Sequence, residues 1–144
     1  MDRFFSRAAP RRGSVAVEFG LTLPILAVIL CGVLDYGWYF LTQTAVLNAV
    51  KDGVRLGVAA PYGVDPVPIA QDAAVDILEA SNLDCGTGCS ATAAHRTDAA
   101  GYEVLTLSLV RPFTAPAGLI PTPDTQDATF EMVLEHQDLT WYGW

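Results

Sequence analysis

An uncharged apolar run over residues 19–34 follows directly on a basic start. Residues 14–34 contain one charged side chain, Glu18. About 20 helical residues cross a hydrocarbon core of roughly 30 Å, so this stretch is long enough to span a bilayer. Asp35 interrupts it, and residues 36–50 again carry no charge, with no turn signal between the two stretches. They therefore read as one helix over 14–60, of roughly 70 Å at 1.5 Å per residue. That exceeds the thickness of a membrane, so the second half must pack on something else. Tyr36, Trp38, Tyr39 and Phe40 stand where amphipathic aromatics favour the headgroup level. Beyond them Val46, Ala49, Val50, Gly53, Val54 and Gly57 keep a helical spacing, with Asn48, Lys51, Asp52 and Arg55 between them. Pro24 is expected to bend the helix, because it removes a backbone donor and crowds the preceding turn.

Charge is distributed unevenly about this helix. Residues 1–13 hold Arg3, Arg7, Arg11 and Arg12 against Asp2, whereas the rest of the chain holds four basic and fifteen acidic residues. Basic residues ahead of an apolar span resist translocation and hold that side in the cytoplasm. The acidic bulk is thus expected in the periplasm, anchored by a single pass through a bacterial inner membrane. A net charge of −8 and a pI near 4.4 would repel a phosphate backbone, which excludes nucleic acid as a partner. Cleavage as an ordinary secretory signal is disfavoured, since Asp35-Tyr36-Gly37-Trp38 is bulky where a small-x-small site is needed.

Residues 61–144 read as one small α+β domain. Pro61, Gly63, Pro66 and Pro68 form a breaker cluster expected to stop the long helix. Ile69, Ala70, Ala73, Ala74, Ile77 and Leu78 then share a helical face, predicting an amphipathic helix over 69–81. Residues 82–100 read as a loop. Residues 102–110 are rich in strand formers, and the face bearing Glu103, Leu105, Leu107 and Leu109 is assigned to the core. A loop with Pro112, Pro116, Pro121 and Pro123 leads to a second alternating run over 128–135, with Phe130, Met132 and Leu134 on one side. The expected result is an antiparallel strand pair packed on a helix.

Cys85 and Cys89 flank the flexible Gly86-Thr87-Gly88. A disulfide suits a small domain outside the cytoplasm; the rival reading is a metal site with His95 as a third ligand, which falls short of the usual four-ligand zinc pattern. Cys31 lies in the apolar span as a small apolar residue. His95 and His136 are the two histidines, and neither stands beside a recognisable nucleophile turn. No enzyme activity and no cofactor is expected.

Glu18 is harder to explain by packing alone. A carboxylate near hydrocarbon is costly and usually has a partner, unless it lies close enough to the interface to reach water. It is the fifth residue after Gly13 in Arg11-Arg12-Gly13-Ser14-Val15-Ala16-Val17-Glu18-Phe19. This stretch resembles the processing site of type IV pilin-like proteins. The resemblance implies cutting by a prepilin peptidase between Gly13 and Ser14, which makes Glu18 the fifth mature residue. A carboxylate there can neutralise the amino group of a neighbouring subunit, an attraction strengthened where water is scarce.

The wider segment 13–60 is similar to the TadE-like pseudopilins of tight-adherence (Flp) pilus systems. The resemblance rests on Val17-Glu18-Phe19, Leu23-Pro24, Gly32-Val33-Leu34-Asp35-Tyr36-Gly37 and Asn48-Ala49-Val50-Lys51-Asp52-Gly53-Val54-Arg55. The strand end Val110-Arg111-Pro112-Phe113 and residues 128–135 resemble the C-terminal region of the same family more loosely. The resemblance implies a basic leader over 1–13, an assembly helix over 14–60, and other pilin-like subunits as partners. The competing class is a signal-anchored envelope protein with a binding domain, unprocessed and indifferent to substitution of Gly13.

Overall fold

The computed structural model describes residues 12–61 and 63–134. Most of the expected leader, together with Glu135 and His136, lies outside them. Five elements follow in order: α1 (Arg12–Val58), α2 (Pro66–Ala80), β1 (Ser90–Thr97), β2 (Glu103–Pro112) and β3 (Thr125–Val133). The architecture is α+β, with the C-terminal half of α1 and all of α2 laid against one face of an antiparallel sheet of order β1-β2-β3.

The long helix forms as the sequence predicts, with shifted ends. It begins at Arg12, inside the expected leader, and runs unbroken through Pro24 to Val58. Its 47 residues divide into two chemically different halves. In the first, Val15, Phe19, Leu21, Ile25, Leu26, Val28 and Ile29 are all exposed. In the second, Val46, Ala49, Val50, Val54 and Val58 are buried, at spacings of three or four residues but for the adjacent Ala49 and Val50. This is the stripe an amphipathic helix presents to a core.

The breaker cluster is read differently by the structure. Pro61 and Gly63 lie in the connection, but Pro66 and Pro68 open α2 instead of ending α1. The first N–H groups of a helix have no intrahelical acceptor, so proline costs little there. Asp65 supplies the cap, its Oδ1 accepting from the Val67 N–H at 3.0 Å. The helix therefore starts three residues before its predicted onset. At the other end Asn82 takes a φ of 61°, and the Leu83 N–H reaches back to the Leu78 carbonyl, a left-handed cap that stops the helix.

The expected loop over 82–100 contains a strand, so the predicted pair is in fact three strands. Strand β1 pairs antiparallel with β2 from Ser90↔Val110 to Thr97↔Glu103. It is an edge strand of small and polar residues, half-buried only at Ala91 and Ala93. Its extended state is imposed by the β2 ladder rather than by its own pattern. Strand β2 is central, and Leu105, Leu107 and Leu109 are fully buried, as assigned. Strand β3 aligns Met132, Phe130 and Ala128 beside these three leucines. On the opposite face the Thr129 hydroxyl donates to Ser108 Oγ at 3.0 Å and Arg96 pairs with Glu131 at 3.1 Å.

Two glycines set the distance between α1 and α2. A Cβ on Gly53 would stand 2.8 Å from the Ala74 Cβ and 2.9 Å from the Ala70 carbonyl oxygen. One on Gly57 would meet the Ala70 Cβ at 2.8 Å and the Pro66 carbonyl oxygen at 3.0 Å. The helices cross with backbone nearly touching backbone, which brings Ala70, Ala74 and Leu78 into the same core as Leu105 and Leu107. Each fully buried leucine contributes on the order of 1.5–3 kcal/mol by removal from water.

Candidate functional site

The exposed half of α1 is the outstanding surface of the molecule. An apolar segment within Val15–Val58 has a mean hydropathy of 2.3, and none of its most apolar window is buried by the rest of the fold. Soluble proteins rarely leave contiguous apolar surface on this scale to water, and a larger patch marks a membrane or an assembly contact.

Gly13 and Ser14 occupy the first turn of α1, with Gly13 exposed. Nothing stands within 4 Å of the position a Cβ would take on Gly13, so packing does not require a glycine there. Glu18 is exposed on the same helix, about 7.5 Å along the axis from Gly13 at 1.5 Å per residue. Its backbone carbonyl accepts from the Thr22 hydroxyl at 3.0 Å, which satisfies that hydroxyl within the apolar segment. Gly13, Ser14 and Glu18 are thus brought together by helix geometry alone, at one end and away from the folded domain.

At the far end of the apolar segment the structure gives distant partners to residues that the sequence marks only as an interrupting charge and headgroup-level aromatics. Asp35 is fully buried. Its Oδ1 accepts from the Ala117 N–H at 2.7 Å, while among the described residues Oδ2 has no hydrogen-bond partner. The Tyr36 hydroxyl donates to the Pro121 carbonyl at 3.0 Å. Tyr39 meets the Phe113 ring edge-on, with centroids 5.1 Å apart. The Pro-rich loop between β2 and β3 is closed at its neck by the Phe113 N–H donating to the Asp124 carbonyl at 2.8 Å. It therefore clasps α1 where the exposed half gives way to the packed half. The available signal was Asp35, the charge that breaks an otherwise uncharged stretch; its partner, 82 residues away, was not legible.

Cys85 and Cys89 have Cα atoms 5.2 Å apart, with their sulfurs joined in a disulfide. His95 lies elsewhere, on β1, with Nε2 3.5 Å from Glu103 Oε2 and both side chains half-exposed. The pair borders a cavity of about 210 Å³ beside Gly57, Val58 and Pro61. Among the described residues no group of three His, Cys, Asp or Glu side chains converges on a point that would hold a metal ion. His95 is used here as the partner of a cross-strand carboxylate.

Neither the curated proteins nor the solved structures contain a match to this chain. Residues 13–55 match the family model described as TadE-like protein. The matched segment opens on Gly13, takes in Glu18, the whole apolar run and Asp35, and closes on Arg55 within the packed half of α1. That family is a structural, pilus-related one, and over its long N-terminal helix this chain is similar to it.

Proposed function

We propose that this protein is a minor pilin or pseudopilin of a tight-adherence pilus, made as a precursor and cut by a prepilin peptidase after Gly13. The observation that carries the reading is the coincidence of the TadE-like segment, which opens on Gly13, with a helix half whose most apolar window its own domain leaves unburied. The basic leader holds the N-terminus in the cytoplasm. The acidic domain then lies in the periplasm, where the Cys85–Cys89 pair is stable as a disulfide. The scissile bond sits in the first helical turn. That turn lacks the support of preceding hydrogen bonds and frays readily, which gives a peptidase an extended strand.

After cleavage the amino group of Ser14 and the carboxylate of Glu18 stand about one turn apart on one helix. In a bundle of such helices the Glu18 of one subunit reaches the new N-terminus of a neighbour displaced along the axis. The pair, shielded from water, fixes the stagger. The exposed apolar half of α1 exchanges lipid for neighbouring helices in the same step.

The test is mass spectrometry of the protein from the membrane fraction of cells with and without the peptidase. The expected mature chain begins at Ser14 in the first and at Met1 in the second. An intact leader in both overturns the processing step. Glu18→Ala is expected to be cut normally but to enter pili at least about tenfold less, equivalent to 1.4 kcal/mol. Incorporation at the wild-type level overturns the docking role.

A further inference from the structure

We propose that the Pro-rich loop between β2 and β3 is a second membrane contact, its tip at Leu119 and Ile120 seated at the outer boundary of the hydrocarbon core. The proposal rests on α1 spanning a bilayer, as proposed above, and is independent of processing or pilus assembly.

Depth is the first argument. At about 1.5 Å per residue, Gly32 stands roughly 30 Å along α1 from Arg12, which matches the thickness of a hydrocarbon core. The loop reaches this level: the Ile120 side chain lies directly on Gly32, where an added Cβ would collide with its Cδ1. The Tyr36 hydroxyl, one turn further out, holds the loop by the Pro121 carbonyl. The loop is therefore fixed against the part of the helix that emerges from the apolar phase.

Composition is the second argument. Residues 112–123 carry no charge, although the domain around them is strongly acidic. At the tip, Leu119 is 67% exposed. Between the loop at Pro116 and α1, a groove of about 490 Å³ is lined by the apolar side chains of Val33, Leu34, Trp38 and Leu41. A loop in water would not be expected to hold so large an uncharged apolar surface next to an apolar helix.

The third argument is Asp35. One residue past the uncharged run, it is covered by the same loop, with Ala117 donating to it. Covering this carboxyl with backbone N–H lets the apolar phase extend outward to the loop without exposing a polar group to lipid, which is otherwise costly. Membrane lipid is the occupant that fits all three observations.

The test uses the full-length protein, carrying Cys31→Ala, in vesicles of phosphatidylethanolamine and phosphatidylglycerol. An environment-sensitive fluorophore is placed through Leu119→Cys, Ile25→Cys or Asp72→Cys, with the Cys31→Ala parent as background. Quenching by nitroxide on the upper acyl chain is compared with quenching by aqueous iodide. The expected result is lipid quenching at 119 severalfold above that at 72, approaching that at 25. If 119 behaves like 72 while 25 is quenched by lipid, the loop contact is overturned and the spanning helix stands. Iodide quenching at 25 removes both. Protection at 119 that fades as protein is diluted in lipid assigns the surface to a second copy of the chain and likewise overturns the proposal.

Discussion

The Gln126 carboxamide donates to the Thr42 hydroxyl at 2.6 Å, a buried link between β3 and α1 across 84 residues of sequence. The same Nε2 donates to the Tyr39 carbonyl at 2.9 Å, and Oε1 accepts from Arg111 at 3.2 Å. Each polar atom of a fully buried side chain is thereby satisfied, which turns a costly burial into a specific anchor. This anchor holds the sheet against α1 at the level where the Pro-rich loop begins.

Gln126→Ala is expected to lower stability by about 2–3 kcal/mol, from lost hydrogen bonds and the cavity left behind. Arg111→Ala removes only one of the three links and should cost less. Urea unfolding in detergent, followed by tryptophan fluorescence, measures both. Equal stability of Gln126→Ala and the parent chain would contradict the anchor.

The close crossing of α1 and α2 gives glycine substitutions opposite signs at two positions. Gly53→Ala places a Cβ 2.9 Å from the Ala70 carbonyl and should cost about 1–3 kcal/mol through overpacking. Gly37→Ala meets nothing within 4 Å and should stabilise the helix by up to about 1 kcal/mol. Thermal melts of the two variants in one detergent check the sign of each.

Asp35 supplies a single acceptor to the loop, so Asp35→Asn, which retains an oxygen for the Ala117 N–H, should keep the loop in place. Asp35→Ala should release it. The expected readout is hydrogen exchange at the Ala117 amide, at least about tenfold faster in Asp35→Ala for a loss of 1.4 kcal/mol. An unchanged rate would show that Tyr36 and Phe113 hold the loop without Asp35.

Alkylation before reduction is expected to label Cys31 alone, and all 3 cysteines after it. Because the ring closed by Cys85 and Cys89 is short, their replacement by alanine should cost no more than about 2 kcal/mol. Three labelled cysteines in protein isolated without reductant would show the pair to be reduced in its native compartment.

Local chemistry was enough to define α1, α2 and the core face of β2. The stripe from Val46 to Val58, the apolar positions of α2 and the alternation of Leu105, Leu107 and Leu109 each state a period and a buried side without reference to any other element. The Gly13-to-Glu18 spacing was legible through its resemblance to pilin-like processing sites, since it needs no partner distant in sequence. The tertiary structure decided whatever depends on a partner distant in sequence. Strand β1 is extended because β2 offers it a ladder, Pro66 opens a helix because Asp65 caps it, and Asp35, Gln126 and the Pro-rich loop acquire their roles only when the chain returns to α1. A backbone or side-chain polar group declares its partner only once both are out of water.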